Sequence, residues 1–206
     1  MMSQIVRPRL KVVAPACHDG KADAEPSVAT EFTVALVGQP NVGKSTVFNM
    51  LTGLNQHVGN WPGKTVEQKT GTYTHNGVSL RLVDLPGAYS LTANSEEERI
   101  ARDYLLRARP DVAIVIVNAA ALERNLYLVA ELLAMGQPLV IGLNMLDVAR
   151  QHGIQVEPHV LQAALGAPVA PIIATKNEGM KELIEAAIQV ARQPAACAPQ
   201  PPAIRP

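Results

Sequence analysis

The sequence contains little cysteine and no excess of charge of either sign. Its two cysteines, Cys17 and Cys197, stand in no spacing typical of metal ligands or of a disulfide framework. Such sparse cysteine is typical of a reducing compartment, so we expect a cytoplasmic location. Lys and Arg number 18 and Asp and Glu also number 18, so no basic surplus favours nucleic acid or an anionic membrane surface as a partner.

The chain also lacks a long apolar run. The longest one, residues 112–122, is interrupted by Asn118, whereas a transmembrane helix needs about 20 apolar residues. The basic residues Arg7, Arg9 and Lys11 are not followed by the apolar stretch of a secretory signal. We therefore expect this chain to be soluble, with no membrane span of its own.

Both ends of the chain differ in composition from its middle. Residues 1–30 lack a hydrophobic period and contain several prolines, which predicts a flexible N-terminal arm. Residues 193–206 contain five prolines and are predicted to be a proline-rich tail or a truncated linker. Residues 31–192 remain as one folded domain, long enough to bury a full core.

Strands and helices alternate through this domain. The predicted strands cover residues 32–37, 66–74, 78–83, 112–117, 139–143 and 168–174. An Asn-Gly pair at 76–77 makes the second and third of them a hairpin, and apolar residues at helical spacing separate the others. This order predicts an α/β fold: a three-layer domain with a mostly parallel six-stranded sheet, one antiparallel strand and helices on both faces.

A phosphate-binding pattern follows the first predicted strand. The sequence GQPNVGKS at residues 38–45 satisfies G-x-x-x-x-G-K-[ST] and begins a predicted helix, which is the context this pattern requires. The two glycines allow successive backbone N–H groups to converge on phosphate oxygens at a helix N-terminus. Lys44 is expected beside the β- and γ-phosphates, and the Ser45 hydroxyl on Mg²⁺. The predicted phosphate-binding residues are Gly38, Asn41, Val42, Gly43, Lys44, Ser45 and Thr46.

Two further segments are predicted to sense the metal and the γ-phosphate. Asp84 ends a strand and is expected to hold Mg²⁺ through water, while Gly87 offers its backbone N–H to the γ-phosphate. The sequence VGNWPGKTVE at 58–67 predicts a loop that can be reshaped. In it, Thr65 would bring a second hydroxyl to Mg²⁺, and Gly63 and Lys64 would lie beside the nucleotide. Trp61 in this loop is equally consistent with a packing role.

The sequence NMLD at 144–147 follows another buried strand and is predicted to recognise the base. Asp147 would accept hydrogen bonds from the guanine ring N–H and amine, whereas adenine would leave this carboxylate unpaired. Asn144 would brace the loop, and Met145 stands where a lysine is usual. At the end of the last strand, a backbone N–H among residues 174–176 would donate to the guanine carbonyl. The predicted base-binding residues are Asn144, Met145, Asp147, Ala174, Thr175 and Lys176.

These four ordered motifs resemble those of the Ras-like, translation-factor-related P-loop GTPases. Residues 58–67, 84–91, 122–128 and 144–147 resemble more narrowly the G domain of the ferrous iron transport protein B family. The resemblance implies a GTPase that binds GTP and GDP and regulates Fe²⁺ uptake at the cytosolic face of the bacterial inner membrane. It implies a helical regulatory domain and a membrane permease domain as partners in the full-length protein, and leaves a homo-oligomer open.

The resemblance also implies hydrolysis stimulated by K⁺, which Asn41 and the backbone carbonyls of Gly59 and Trp61 would hold. The predicted catalytic residues are Asn41, Lys44, Thr65 and Gly87. Ala88 stands where some GTPases carry a water-orienting glutamine, which predicts slow turnover, about 10⁻⁴ to 10⁻³ s⁻¹. Ser95 and Glu98 form a capping box, so the acidic residues 96–98 are interpreted as a helix start rather than as general bases.

Three alternatives stay open at this point. A related GTPase of ribosome or RNA maturation would favour a basic surface, which the neutral charge does not provide. A nucleotide-sensing switch would use hydrolysis only as a slow reset. An ATPase would bind ATP and GTP with comparable affinity. The five histidines show no ligand spacing, so no iron site is predicted.

Overall fold

The computed structural model describes residues 31–193, which form seven strands and six α-helices. The strands are β1 (Glu31–Gly38), β2 (Gln56–Asn60), β3 (Glu67–His75), β4 (Val78–Asp84), β5 (Val112–Asn118), β6 (Leu139–Asn144) and β7 (Val169–Pro171). The helices are α1 (Lys44–Thr52), α2 (Glu96–Ala108), α3 (Leu122–Ala134), α4 (Leu146–Gln151), α5 (Pro158–Leu165) and α6 (Met180–Arg192). The predicted arm and, apart from Gln193, the predicted tail lie outside the described residues.

The strands form one mixed sheet in the order β2-β3-β4-β1-β5-β6-β7. The pairs β1–β4, β1–β5, β5–β6 and β6–β7 are parallel, whereas β3 is antiparallel to both β2 and β4. Among the described strands, β3 alone therefore runs against the other six. The predicted α/β class and the single antiparallel strand are confirmed.

The predicted number of six strands is wrong because β2 adds a seventh. Its sequence, QHVGN, has no apolar alternation, and its second half was predicted to be part of a loop. It pairs with the outer edge of β3, from Gln56 opposite Gly71 to Asn60 opposite Glu67. The unpaired N–H and C=O groups of an edge strand can hold such a segment through backbone hydrogen bonds, with little contribution from its side chains.

Both faces of the central strands are buried, as their apolar runs predict. Val34 and Leu36 of β1 pack with Phe48 of α1 and with α6 on one face. Ala35 and Val37 face the other way and pack with α2 and α3. Each buried aliphatic side chain of this size stabilises the fold by about 1.5–3 kcal/mol. The sheet is therefore held rigidly between two helical layers.

Several local predictions are confirmed. The hairpin turn has φ of 48° at Asn76 and 78° at Gly77, as a type I′ turn requires. The Ser95 hydroxyl and the Glu98 carboxylate form the reciprocal capping box of α2. The predicted apolar stripe of α6 is buried.

Two predictions on the C-terminal half need correction. The last strand ends at Pro171 rather than at residue 174, because the chain turns into a single 3₁₀ turn (Ala174–Lys176) that ends at Asn177 in a left-handed conformation. The short helices α4 and α5 were not predicted.

The carboxyl ends of β1, β4, β6 and β7 lie along the same edge of the sheet, because these four strands run in one direction. The segments predicted to bind nucleotide, except the loop at 58–67, follow these ends. No helix within residues 31–193 combines the length and the apolar character needed to span a membrane.

Candidate nucleotide-binding site

The P-loop, residues 38–45, turns tightly between β1 and α1. Asn41 has φ of 63° and Gly43 has φ of 89°, both in the left-handed region. Left-handed residues within such a turn direct successive N–H groups into a common concavity that suits an anion. In the part of the chain that is described, no side chain caps the N-terminus of α1. Its first N–H groups therefore remain available for phosphate oxygens.

Close packing requires glycine at both glycine positions of this loop, and at Gly43 the left-handed backbone requires it as well. A Cβ atom at Gly38 would lie 2.8 Å from the Ile116 carbonyl oxygen, and one at Gly43 would overlap the side-chain amide of Asn144. Any larger residue would push the loop away from β5 or from Asn144. The two glycines thus fix the loop against the carboxyl ends of two neighbouring strands.

Lys44 and Asp84 meet at the mouth of the loop. The Lys44 Nζ atom lies 2.5 Å from Asp84 Oδ1, and both side chains are largely buried. Burial raises the pKa of Asp84 above its ordinary value, and the attraction of the Lys44 ammonium offsets only part of this effect. The predicted phosphate-binding lysine and the predicted Mg²⁺ ligand are therefore brought together.

The segment after β4 closes on the P-loop. The Ala88 N–H donates to the Gly38 carbonyl oxygen at 3.2 Å. Gly87 approaches the loop so closely that a Cβ atom there would lie 3.1 Å from Pro40 Cγ. The predicted γ-phosphate sensor thus lies directly beside the predicted phosphate-binding loop, and the Ala88 methyl group is buried.

Asn144 connects the P-loop with the predicted base-binding turn. Its Nδ2 donates to the Val42 carbonyl at 2.9 Å, and its Oδ1 accepts from the Ala174 N–H at 3.1 Å. The side chain is 4% exposed, so water does not compete for these hydrogen bonds. Asn144 therefore joins the P-loop to the turn that begins at Ala174, in agreement with the bracing role predicted from the sequence.

The other predicted base-binding residues lie on the two turns that this brace joins, and only Met145 among them lines the cleft over the P-loop. Met145 has φ of 63°, and its side chain reaches toward Gly43. Asp147 lies half-buried in the first turn of α4, while Thr175 and Lys176 are exposed on the 3₁₀ turn.

A cleft of about 860 Å³ lies over the P-loop. Small-molecule sites usually measure about 300–1,000 Å³, so it is large enough for a nucleotide. Its lining includes the predicted residues Asn41, Gly43, Lys44, Ser45, Thr46, Gly87 and Met145. It also includes residues that were not predicted to bind nucleotide: Gln39, Pro40, Tyr89, Ser95, Glu97 and Glu98.

Of the described residues that line this cleft, none belongs to the predicted loop at 58–67. Residues 58–60 of that stretch belong to β2 and residue 67 begins β3, and these two strands lie outside β4 and β1 at the edge of the sheet. Lys64 forms an ion pair with Glu96 at 3.0 Å, and Thr65 is exposed. The structure therefore does not bring Gly59, Gly63 or the residues after them into contact with the cleft.

The Trp61 side chain packs in the core. It is 8% exposed and meets the Tyr104 ring edge-to-face, with 5.5 Å between ring centroids. Its Nε1 has no hydrogen-bond partner among the described residues. The carbonyl oxygen of Trp61 accepts from the Lys64 N–H at 2.9 Å. The packing interpretation of this side chain is therefore confirmed.

Sequence reasoning missed the part of the site that lies on α3. Arg124 contacts Gln39 of the P-loop, and Glu131 holds the backbone after Gly87. These contacts join residues about 40 and 85 positions apart, which no local pattern encodes. In the sequence, residues 122–128 stand out only by their resemblance to the family. Of the acidic residues 96–98, Glu98 acts at the start of α2: its carboxylate accepts the N–H groups of Ser90, Asn94 and Ser95.

Comparison with known proteins assigns the family. The family model of ferrous iron transport protein B matches residues 32–187. The Fe(2+) transporter FeoB of Escherichia coli (strain K12) is 46% identical over 157 residues, covering 74% of this chain and 20% of that protein. This chain thus spans about a fifth of the length of the curated relatives it matches.

Solved structures agree with this assignment. The G domain of T. maritima FeoB has a TM-score of 0.74 and 41% identity, covering 79% of this chain and 99% of that one. A mutant of S. thermophilus NFeoB bound to GDP has a TM-score of 0.73 and 44% identity, covering 77% of this chain and 62% of that one. This chain belongs to the family of ferrous iron transport protein B and has the Ras-like fold of its G domain.

Proposed function

We propose that this chain binds GTP and hydrolyses it with Mg²⁺, as the nucleotide-responsive domain of a ferrous iron transporter. The observation that carries the proposal is the continuous set of contacts from the P-loop to two other motifs. Lys44 contacts Asp84, and Asn144 ties the Val42 carbonyl to Ala174. A relative of this fold binds GDP. Family membership also favours this role over the alternative in RNA maturation.

The residues present fit Mg²⁺. The Ser45 hydroxyl and the Asp84 carboxylate are hard oxygen ligands, and both follow strands that are neighbours in the sheet. When bound, Mg²⁺ neutralises charge on the phosphate oxygens. Lys44, which pairs with Asp84, would turn its ammonium to the β- and γ-phosphates. Thr65 would add its hydroxyl only after residues 61–65 move toward the cleft.

Guanine selectivity is assigned to Asp147. Its carboxylate would accept hydrogen bonds from the guanine ring N–H and amine, while a backbone N–H among residues 174–176 would donate to the guanine carbonyl. The Ala174 N–H already donates to Asn144 and the Lys176 N–H to the Ile173 carbonyl. This role is therefore assigned to the N–H of Thr175. Because Asn144 joins the turn at Ala174 to the P-loop, the distance between the base-binding and the phosphate-binding residues would be fixed. Met145 and the stem of Lys176 would cover the base.

Hydrolysis is proposed to be slow and stimulated by K⁺. A water molecule would attack the γ-phosphate in line, with Lys44 and the N–H groups of Gly87 and the P-loop stabilising the developing charge. The buried methyl group of Ala88 offers no atom that could orient this water. Bound K⁺ would add positive charge beside the phosphates, held by Asn41 and, once residues 59–65 move toward the cleft, by the carbonyls of Gly59 and Trp61.

The role in iron uptake belongs to the longer protein. The matched transporters are about five times as long as the matched segment, so the permease and the helical regulatory domain would lie outside this chain. This domain would act at the cytosolic face of the bacterial inner membrane and pass its nucleotide state to those partners. A homo-oligomer of the whole transporter is compatible with this arrangement.

A titration tests the proposal directly. GTP, GDP and ATP are titrated into the chain with Mg²⁺, and phosphate release is followed after GTP addition. Guanine nucleotides should bind at least about a hundredfold more tightly than ATP, because adenine leaves Asp147 unpaired. Equal affinity for ATP and GTP would contradict the base assignment and favour an ATPase.

A switch that uses hydrolysis only as a slow reset is the second candidate, and Ala88 is the observation that favours it. Single-turnover measurement separates the two functions. GTP that stays bound for hours without phosphate release, in K⁺ as in Na⁺, would favour the pure switch.

A further inference from the structure

Gln39 is a P-loop residue whose buried side chain is held by helix α3. Its Nε2 donates to the Arg124 carbonyl oxygen at 2.7 Å, and its Oε1 accepts from Arg124 Nε at 3.1 Å. Gln39 is 2% exposed, so both ends of its amide are satisfied within the protein and its orientation is determined. One arginine thus contacts the P-loop with both its backbone and its side chain.

The same arginine contacts the segment that follows Gly87. The Arg124 guanidinium lies over the Tyr89 ring, 5.0 Å from its centroid. A guanidinium at this distance is attracted to the ring face. Gln39 and Tyr89 both line the nucleotide cleft, and with Arg124 they also line a second groove along α3. Arg124 therefore contacts the two segments that line opposite sides of the cleft, the P-loop and the residues after Gly87, from helix α3.

A second residue of α3 strengthens this connection. The Glu131 carboxylate accepts from the Ser90 hydroxyl and from the Leu91 N–H, both at 2.7 Å. Glu131 lies about two helical turns after Arg124, so the two side chains share one face of the helix. Helix α3 thus contacts residues 89–91 through Arg124 and Glu131, and the P-loop through Arg124.

We propose that Arg124 is a positioning residue for GTP hydrolysis, which sets the spacing between the P-loop and Gly87 through Gln39 and Tyr89. The inference rests on the proposed function. Gly87 already packs against Pro40, and Ala88 bonds to the Gly38 carbonyl. The spacing of these two segments decides whether their N–H groups can contact one γ-phosphate. Arg124 itself touches no substrate.

This role predicts an effect specific to the γ-phosphate. GDP lacks that phosphate and needs only the P-loop side of the cleft, whereas a non-hydrolysable GTP analogue needs both sides. Arg124→Ala should lower affinity for the analogue about five- to tenfold and change GDP affinity less than twofold, a size typical of such coupling. The KM for GTP should rise by about the same factor as the analogue affinity falls, because slow hydrolysis makes KM a measure of GTP binding. The kcat should also fall about tenfold, because the lost positioning matters most in the transition state.

Arg107→Ala is the matched control. It removes the same side chain from an exposed position on α2, where Arg107 contacts only Asp103 at 3.7 Å among the described residues. It should retain the nucleotide affinities and kcat of the unmodified chain. Thermal unfolding of every variant monitors folding. If Arg124→Ala does not fold, Arg124→Lys replaces it, because it keeps the charge but loses the planar fork that bonds Gln39.

A double-mutant cycle completes the test. Gln39→Ala and Arg124→Ala both remove the bond between Arg124 Nε and Gln39 Oε1, and each also removes a contact of its own. The double variant should therefore lose clearly less than the sum of the two single losses. Additive losses, or equal losses of GDP and GTP-analogue affinity, would overturn the positioning role while leaving the proposed function intact. Failure of the unmodified chain to bind any guanine nucleotide would overturn both.

Discussion

The Lys44 ammonium lies 2.5 Å from the Asp84 carboxylate, although the two residues belong to different motifs. Leu36 of β1 pairs with Asp84 of β4, so the sheet itself brings the carboxylate beside the strand that leads into the P-loop. Both side chains are largely buried, and the Lys44 ammonium is the strongest charge acting on Asp84. The phosphate-binding lysine and the proposed metal ligand therefore form one electrostatic unit.

Asp84→Asn should uncouple GTP binding from Mg²⁺. The neutral amide keeps the shape of the side chain but holds the metal and its water more weakly, so Mg²⁺ affinity should fall about ten- to a hundredfold. GTP affinity measured over a range of Mg²⁺ concentrations, with EDTA as the zero point, tests this. Asp103→Asn, on the exposed side of α2, is the control. An unchanged Mg²⁺ dependence would remove Asp84 from the metal site.

Asn144→Ala should destabilise the fold as well as weaken nucleotide binding. It leaves the Val42 carbonyl and the Ala174 N–H without their partner, and one such buried group costs about 1–3 kcal/mol. Denaturant unfolding without nucleotide measures the free-energy change. Gln151→Ala removes an exposed amide from α4 and should change stability little. A loss below about 0.5 kcal/mol for Asn144→Ala would mean that the brace contributes nothing.

Asp147→Asn should change the preferred base from guanine to xanthine. An asparagine can donate to the carbonyl that xanthine carries where guanine has its amine, so XTP should gain affinity while GTP loses at least about a hundredfold. Competition between the two nucleotides for the cleft measures the change. ATP affinity should stay low in both proteins. A variant that still prefers GTP would show that another residue recognises the base.

Asn41→Gly should abolish stimulation by K⁺. Asn41 has φ of 63°, so glycine removes the side chain without introducing strain into the backbone. The unmodified chain should hydrolyse GTP roughly tenfold faster in KCl than in NaCl, and the variant equally in both. Asn76→Gly makes the same change at a hairpin residue with φ of 48° and should keep the stimulation. Equal rates in both salts for the unmodified chain would remove the K⁺ site.

Trp61 should report movement of residues 61–65. It is the chain's one tryptophan, and its indole packs against Tyr104. If Thr65 moves to Mg²⁺ and the γ-phosphate, Trp61 must change its surroundings and its fluorescence emission should shift. A GTP analogue should produce the shift and GDP should not. Thr65→Ala should suppress it, whereas identical spectra with both nucleotides would show that the loop stays in place.

The local patterns were sufficient wherever a short segment determines its own conformation. The glycine at 43 and the Asn-Gly turn at 76–77 use left-handed backbone geometry that few other residues allow, and the capping box of Ser95 and Glu98 lies within four residues. The buried strands could also be predicted, because a strand that is buried on both faces of a parallel sheet is an uninterrupted run of apolar residues. The order of these elements along the chain was enough to place the motifs at one edge of the sheet.

Contacts between distant segments required the tertiary structure. Nothing in QHVGN indicates a strand, and β2 exists because β3 offers it an unpaired edge. Arg124 and Glu131 look like ordinary surface charges on α3 until the sheet order sets that helix behind the P-loop and residues 89–91. Sequence periodicity reports which face of an element is buried, whereas the partner on that face is decided by how all the strands are ordered and packed together.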